Sequence, residues 1–347
     1  IVVSPEDDIE LRRIHITNSR ATRRKIELSS YAGVVITDPA ADAAHPAFSN
    51  LFVQTEIIHE RQAILCTRRP RSQEEKPPWM LHVMVAHNAD VQAVSYETDR
   101  RQFIGRGHSI AYPDAMRTVH LSGSAGSVLD PVVAIRYQIT LEPYQTATID
   151  IVTGMGETRD IALGLIYKYQ DLHLGDRVFD LAWTHSQVLL RQLNASEADA
   201  QLYSRLANSI IYSNASLRAD ASVLIKNQRG QSGLWAYGIS GDLPIVLLKI
   251  QDAGNIELVR QLLQAHAYWR LKGLAVDLVI WNEDRAGYRQ FLQEQIIGLI
   301  GAGTEAHVMD RPGGIFVRPA EHIPGEDRVL LQTVARVIIS DSRGTLA

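Results

Sequence analysis

The stretch that decides how the second half of this chain folds runs from Arg229 to Ile250 and reads RGQSGLWAYGISGDLPIVLLKI. Its first fourteen residues contain four glycines, which allow positive φ angles and close backbone approach. This density predicts a shaped loop rather than a regular element. The short apolar run Ile245–Ile250 that follows predicts a buried strand.

The same loop contains candidate binding residues. Trp235 and Tyr237 can present a stacking face to a sugar ring, because large aromatic side chains combine apolar area with a polar group. Asp242 is the carboxylate that the sequence places best to face such a pocket. The alternative, which the residues leave open, is a buried glycine-rich turn with core aromatics and an aspartate that caps the next element.

After the loop, strand-like and helical patterns alternate. Asn255 suits a helix N-cap and Gly273 a helix end, which predicts a helix over Ile256–Leu271. Alternation of this kind predicts an α/β region over residues 213–347 with a small parallel sheet. A helical region, as a degenerate helical barrel, remains the alternative. The further expected elements are strands at Val276–Trp281 and Gly314–Val317 and helices at Arg285–Leu299 and Glu326–Ile339.

Residues 156–212 predict a helical linker. Apolar residues recur at intervals of three and four over Glu157–Tyr169 and Asp176–Leu193, as in amphipathic helices. Ser196 and Asp199 form the pattern of a capping box at the start of another helix.

Residues 1–155 predict an antiparallel β-sandwich. Lys25–Tyr31 alternates between apolar and polar positions, which is the period of a half-buried strand. Clusters of turn-forming residues separate further short strand candidates, and Pro143-Tyr144-Gln145 predicts a hairpin tip. The expected fold class is therefore α+β multidomain: a sandwich, a helical linker, and a mixed α/β or helical region.

Composition excludes several classes of protein. The chain has 347 residues, 46% hydrophobic residues and a formal charge of −4, so we expect neither a nucleic-acid partner nor direct membrane insertion. The single cysteine, Cys66, excludes an internal disulfide, and the histidines lack metal-ligand spacing. We expect no metal and no cofactor. Because the chain opens at Ile1, we expect it to be a piece of a longer protein.

Two arginine clusters suggest an anionic ligand, one around Arg68, Arg69 and Arg71 and the other over residues 12–25. Glutamates lie close to both clusters in the sequence and offset much of the charge. A solvated or interdomain salt-bridged surface is therefore the expected role.

Long strings of the chain resemble bacterial cyclic β-1,2-glucan synthases. They are ELRRIHITN, RKIELSSYAGVVI, ADAAHPAFSNLFVQTE, TRRPRS, PPWMLHV, ETDRRQFIGRG, QSGLWAYGISGDLPIVLLKI and LVRQLLQAHAYWRLKGLAVDLVIWNE. The resemblance implies that the chain is a segment of a large inner-membrane glucosyltransferase and lies at the cytoplasmic face of that membrane. This segment would lie between a cyclisation domain and a terminal phosphorylase-like domain, and its sandwich would be of the glycoside phosphorylase family 94 type. Implied partners are a β-1,2-glucan and neighbouring domains of the parent chain.

The resemblance does not carry the catalytic motif over. In the phosphorylases a tyrosine-glycine pair leads into a sequence whose aspartate is the general acid, and here Ile245 occupies that position. Asp242 would have to act from a shifted place. Phosphorolysis also needs a bound phosphate, for which the arginine candidates are Arg229, Arg270 and Arg285. His266, Trp269 and Arg270 on one predicted helix complete the candidate substrate-binding residues, and local packing or bonding rather than phosphate binding is their expected role.

These residues leave three hypotheses. The first is a non-catalytic module that binds carbohydrate and positions neighbouring domains. The second is an active phosphorylase or glycosidase with Asp242 as general acid. The third is nucleotide binding at the glycine-rich loop, whose glycines match no dinucleotide or phosphate-loop fingerprint.

Overall fold

The computed structural model describes residues 1–284, 291–303 and 306–346. The chain divides into two compact units, Ile1–Ser186 and Gln187–Ala347. The division at residues 1–155, 156–212 and 213–347 stays a prediction.

The first unit is built on two antiparallel sheets, which confirms the expected sandwich. One has the order β1-β2-β10-β7-β6-β5, and in the other β3, β4 and β8 pair with β9. The strands are β1 Val2–Val3, β2 Ile9–Thr17, β3 Arg24–Ser29, β4 Ala32–Gly33, β5 Val53–Ile58, β6 Ala63–Arg68, β7 Trp79–His87, β8 Asp90–Asp99, β9 Pro131–Leu141 and β10 Thr146–Gly156.

The core of the sandwich follows from side-chain alternation along its strands. Ile135, Tyr137 and Ile139 of β9 point into one cluster together with Ile64 of β6. Leu65, the next residue of β6, faces the opposite side of the six-stranded sheet, where the helix over Arg159–Lys168 covers it. The six-stranded sheet is therefore buried on both faces.

The two longest helices of the first unit follow its last strand, and the three short ones lie between strands. Thr158 caps the helix that covers the six-stranded sheet, since its side chain accepts a hydrogen bond from the Ile161 backbone. The long helix that follows crosses the boundary between the units. The helices are α1 Pro39–Ala44, α2 Pro46–Asn50, α3 Arg100–Ile104, α4 Arg159–Lys168 and α5 Leu172–Gln192.

Members of both arginine clusters of the first unit form ion pairs. Arg13 donates two hydrogen bonds to the carboxylate of Asp150, at 2.7 and 2.8 Å. Arg68 pairs with Glu75, and Arg23 lies 3.1 Å from Glu142. These contacts agree with the salt-bridged surface expected from the sequence.

The second unit contains a parallel sheet with the order β13-β12-β11-β14. Its strands are β11 Ile245–Ile250, β12 Asp277–Asn282, β13 Ile315–Pro319 and β14 Val337–Ser340. Its helices are α6 Glu197–Ile211, α7 Ala221–Leu224, α8 Ile256–Leu271, α9 Phe291–Ala302 and α10 Gly325–Val334. The parallel sheet decides for the α/β alternative and against the helical one. The capping box at Ser196 and Asp199 is present at the start of α6.

Apolar residues cover both faces of this sheet, as in doubly wound folds. Val246, Leu248 and Ile250 of β11 pack towards the cluster that contains α8 and α9. Ile245 and Leu247 pack towards the opposite cluster, which contains α10.

The sequence prediction fails at the end of the chain. The helix expected over Glu326–Ile339 ends at Val334, and Val337–Ser340 form the edge strand β14. Pairing with β11 causes the change, because the Arg336 backbone donates to the Ile245 carbonyl and β14 then runs beside β11. Residues 285–290 of the helix expected from Arg285 lie outside the described residues.

None of the helices in the described part of the chain is long and apolar enough to cross a bilayer.

Candidate functional site

The loop before β11, residues 229–244, is called the central loop here, and it packs against the sheet of the second unit. Gln231–Tyr237 is a 3-10 helix, and Gly238 follows it in the left-handed region with φ +73°. Gly241 has φ +79°, and an added Cβ there would lie 2.9 Å from both Gln231 and Leu234. Because Leu234 is buried in the α10 cluster, this loop is part of the fold of the second unit.

Tyr237 anchors the loop to α10. Its phenol donates a 2.7 Å hydrogen bond to Oδ2 of the nearly buried Asp327, and its carbonyl accepts a 2.6 Å hydrogen bond from Arg318. Burial, together with the hydrogen bond to Asp327, raises the pKa of Tyr237 to about 12. Arg229 is engaged at the same place, with Glu326 at 2.8 Å and Asp327 at 3.4 Å.

Trp235 and Asp242 are two candidate binding residues of the loop that are exposed. Trp235 is 64% exposed, and its indole N–H donates to the Ser240 carbonyl at 3.3 Å. Gln231 donates to the same carbonyl at 2.8 Å and to Oδ1 of Asp242 at 2.9 Å. Gln231 and Ser240 thus hold an exposed aromatic ring and an exposed carboxylate in one short segment.

The three candidate substrate-binding residues on α8 lie outside the central loop, and two of them, His266 and Trp269, are buried. Trp269 is 1% exposed and donates to the Tyr203 carbonyl at 2.8 Å, so no face of its ring is available to a sugar. His266 is also buried, and its Nε2 donates to the Val276 carbonyl at 2.9 Å. Arg270 lies 3.3 Å from Nε2 of His307.

Sequence reasoning missed Asp277, the first residue of β12. This side chain is 0% exposed; its Oδ1 accepts a 2.7 Å hydrogen bond from the Gly313 backbone, and its Oδ2 has no partner among the described residues. The pKa of Asp277 is raised, mainly because burial disfavours the charged carboxylate, and the charge of Asp242 adds to the rise. The Gly313 hydrogen bond and the His266 charge lower this pKa but do not offset the effect of burial. An aspartate at the head of the apolar run DLVIW is the sequence signal that indicates a buried carboxyl group.

These positions decide what the loop can do chemically. The exposed Asp242 can accept hydrogen bonds from sugar hydroxyl groups. Asp277 has a raised pKa that suits a general acid, but no exposed atom through which it could protonate a substrate. Arg229 is already paired with two carboxylates, and Arg285 lies outside the described residues.

Comparisons with known proteins agree with the sandwich. Residues 1–172 match the family model described as the glycosyl hydrolase 94 supersandwich domain. The chain is also 32% identical over 296 residues, or 85% of its length, to the cyclic beta-(1,2)-glucan synthase NdvB of Rhizobium meliloti (strain 1021). The match covers 10% of that synthase, so the chain spans about a tenth of the relative's length. Residues 1–172 therefore belong to the glycosyl hydrolase 94 supersandwich domains, and the chain resembles a segment of a cyclic β-1,2-glucan synthase.

Proposed function

We propose that this chain is a non-catalytic module that binds carbohydrate and positions neighbouring domains within a glucosyltransferase of the cyclic β-1,2-glucan synthase type. One observation carries this proposal: the similarity to such a synthase extends over 296 residues, so it cannot be confined to the 186 residues of the first unit. Both units would then have their counterparts in the same large enzyme.

The non-catalytic part of the proposal rests on the central loop. Inverting cleavage of a glycosidic bond requires a carboxylic acid at the glycosidic oxygen and, for phosphorolysis, a bound phosphate on the opposite side of the sugar. Asp242 is exposed and bonded to an amide side chain, and the guanidinium of Arg229 is held by Glu326 and Asp327. These contacts support binding rather than bond cleavage.

The carbohydrate-binding part rests on Trp235. An exposed indole beside a carboxylate and an amide matches the chemistry of a sugar, which has apolar C–H faces and peripheral hydroxyl groups. Tyr237 anchors the loop to α10 through its hydrogen bond to Asp327, so its proposed role is stability rather than contact with the sugar.

The place of the module in its parent is also a proposal. In a synthase of this type the chain would lie at the cytoplasmic face of the inner membrane, as part of a longer membrane protein. A β-1,2-glucan and adjoining domains of the parent would be its partners.

A second candidate is an active glycoside phosphorylase or glycosidase with Asp242 as general acid. The observation that favours it is the exposed carboxylate of Asp242, which lies in one short segment with the exposed ring of Trp235. Phosphate-dependent release of glucose 1-phosphate that is lost in Asp242→Asn would establish this activity. An absence of turnover at high protein concentration would dismiss it.

Calorimetric titration with linear and cyclic β-1,2-glucans, with and without phosphate, tests the proposed function. We expect binding that Trp235→Ala weakens about tenfold, which corresponds to roughly 1.4 kcal/mol. Trp183→Ala is the matched control, since Trp183 in the first unit is 67% exposed and Trp235 is 64% exposed. Flat titrations with a folded protein would contradict carbohydrate binding, and equal losses in both variants would contradict a site at the loop.

A further inference from the structure

The parallel sheet of the second unit has a topological switch point between β11 and β14. The chain passes from β11 through α8 to β12 on one side, whereas β14 lies on the other side of β11. Helix α8 packs on one face of the sheet and α10 on the opposite face. In open α/β sheets, ligands bind at such a point, in the crevice outside the carboxyl ends of the strands.

A cavity of about 670 Å³ lies at this crevice. Residues that follow β11, β12 and β14 line it, together with the first residue of α9. The volume falls within the range of small-molecule sites, roughly 300–1,000 Å³. The polar and aromatic lining residues are Gln251, Asp252, Asn255, Asp284, Phe291, Asp341 and Ser342.

The position where a phosphate would bind in this cavity is already taken by an internal carboxylate. Oδ2 of Asp341 accepts hydrogen bonds from the backbone N–H groups of Gln251 at 2.9 Å and Asp252 at 3.0 Å. Asn255 adds a side-chain contact at 3.4 Å. Burial would raise the pKa of Asp341, but these hydrogen bonds outweigh it and the pKa is lowered, which keeps the group charged. A nucleotide phosphate would have to displace this carboxylate.

The remaining lining groups define the ligand class. Asp252, Asp284 and Asp341 line the cavity with three carboxylates, which repel an anionic ligand. The described part of the chain also has no group of three or more histidine, cysteine or acidic residues placed to hold a metal ion. Gln251, Asn255 and Ser342 offer amide and hydroxyl groups to a neutral polar ligand.

Phe291 supplies the apolar surface that such a ligand needs. Its side chain is 56% exposed although it is a large aromatic residue, and it borders the cavity. A flat apolar ring beside carboxylate, amide and hydroxyl groups suits a sugar, whose C–H face stacks on the ring while its hydroxyl groups bond to the polar side.

We propose that this carboxyl-edge crevice binds a neutral oligosaccharide, with Phe291 as its stacking surface and Gln251 as a hydrogen-bonding partner. The identity of the sugar as a β-1,2-glucan rests on the proposed function. The crevice lies at the opposite end of β11 from the central loop, about 20 Å away for six residues of strand. It is therefore a site separate from Trp235.

The test is calorimetric titration of the whole chain and its variants with linear β-1,2-glucan oligomers, with thermal melting as the check on folding. Phe291→Ala and Gln251→Ala are each expected to weaken binding at least fivefold at an unchanged melting temperature. Phe48→Ala is the matched control, because Phe48 in the first unit is also 56% exposed, and it is expected to leave binding unchanged.

The outcomes separate this inference from the proposed function. Binding that Phe291→Ala and Gln251→Ala leave intact would overturn the crevice site and leave the carbohydrate-binding module standing, more so if Trp235→Ala abolishes it. Loss in Phe291→Ala with binding retained in Trp235→Ala would support the crevice alone. Binding of inorganic phosphate that Phe291→Ala leaves intact and Asp341→Asn alters would overturn the assignment to a neutral ligand. An absence of glucan binding by the wild-type chain would overturn both proposals.

Discussion

Asp277 gives the sharpest test of the energetics of the second unit. Its carboxyl group is fully buried, with one oxygen bonded to the Gly313 backbone and the other without a partner among the described residues. Burial raises its folded-state pKa above 3.8. The stability that the group contributes is therefore fully present below pH 3.8 and is lost as the pH rises through the folded-state pKa.

The substitution Asp277→Asn removes this titration and preserves the shape of the side chain. The amide oxygen can still accept the hydrogen bond from Gly313, while the buried negative charge is gone. The group at the Oδ2 position stays without a partner among the described residues in both proteins, so the gain comes from the lost charge, and each unit by which the pKa is raised corresponds to about 1.4 kcal/mol. We expect Asp277→Asn to raise the free energy of unfolding at pH 7 by about 1–3 kcal/mol, and the gain to vanish as the pH approaches 3.8.

Urea unfolding of both proteins over a series of pH values measures the difference. Hydrogen–deuterium exchange of peptides from β11 and β12 reports on the second unit by itself, since the chain divides into two compact units. Asp242→Asn is the control, because Asp242 is exposed and its loss is expected to change stability by less than about 0.5 kcal/mol. A variant less stable than wild type at pH 7, or a difference that does not change with pH, would refute the reasoning. The first result would mean that a charged Asp277 stabilises the fold.

Three further substitutions test the loop and the carboxyl edge. Tyr237→Phe removes the phenol that donates to Asp327 and is expected to cost about 1.5–3 kcal/mol in urea unfolding; a neutral result would contradict the anchoring role. Gly241→Ala forces a side chain into a left-handed, crowded position and is expected to lower the free energy of unfolding by about 1–3 kcal/mol. Gly230→Ala is the control, because a Cβ added at Gly230 has no atom within 4 Å, and it should cost under about 1 kcal/mol. Equal effects of the two substitutions would argue against strain at Gly241. Asp341→Asn weakens a charged acceptor and is expected to cost about 1–2 kcal/mol at pH 7. Because the pKa of Asp341 is lowered from 3.8, that cost should shrink as the pH falls below 3.8, and a constant cost would show that the charge is irrelevant.

Local signals were enough to predict much of the second unit. Ile245–Ile250 and Ile256–Leu271 have the expected bounds, because apolar spacing and flanking residues fix each of them. Asn255 precedes the helix as expected, but its side chain makes no capping bond and contacts Asp341 instead. Strand β14 was missed because its apolar residues continue the pattern of α10, and only pairing with β11 makes them a strand.

The candidate site was predictable only in part. Trp235 and Asp242 are exposed, so the alternative of a wholly buried turn with core aromatics does not hold for Trp235, while sugar binding by these two residues stays a prediction. Residue type could not show that Trp269 is enclosed by the fold, since the Tyr203 carbonyl that receives its indole N–H lies 66 residues away. Sequence reasoning did not identify Asp277 as a buried carboxyl group for the same reason, because its hydrogen-bonding partner Gly313 is 36 residues away in the sequence. The sandwich family was indicated by long matching strings rather than by any single motif.

Ligand-observed NMR of linear β-1,2-glucan mixed with this chain in phosphate buffer tests the central claim most directly, because one sample reports both binding and turnover. A non-catalytic carbohydrate module predicts saturation transfer from the protein to the sugar protons, and no new anomeric signal of glucose 1-phosphate after hours of incubation. An absence of saturation transfer with folded protein would contradict carbohydrate binding. A growing glucose 1-phosphate signal that Asp242→Asn abolishes would show that the chain is an enzyme.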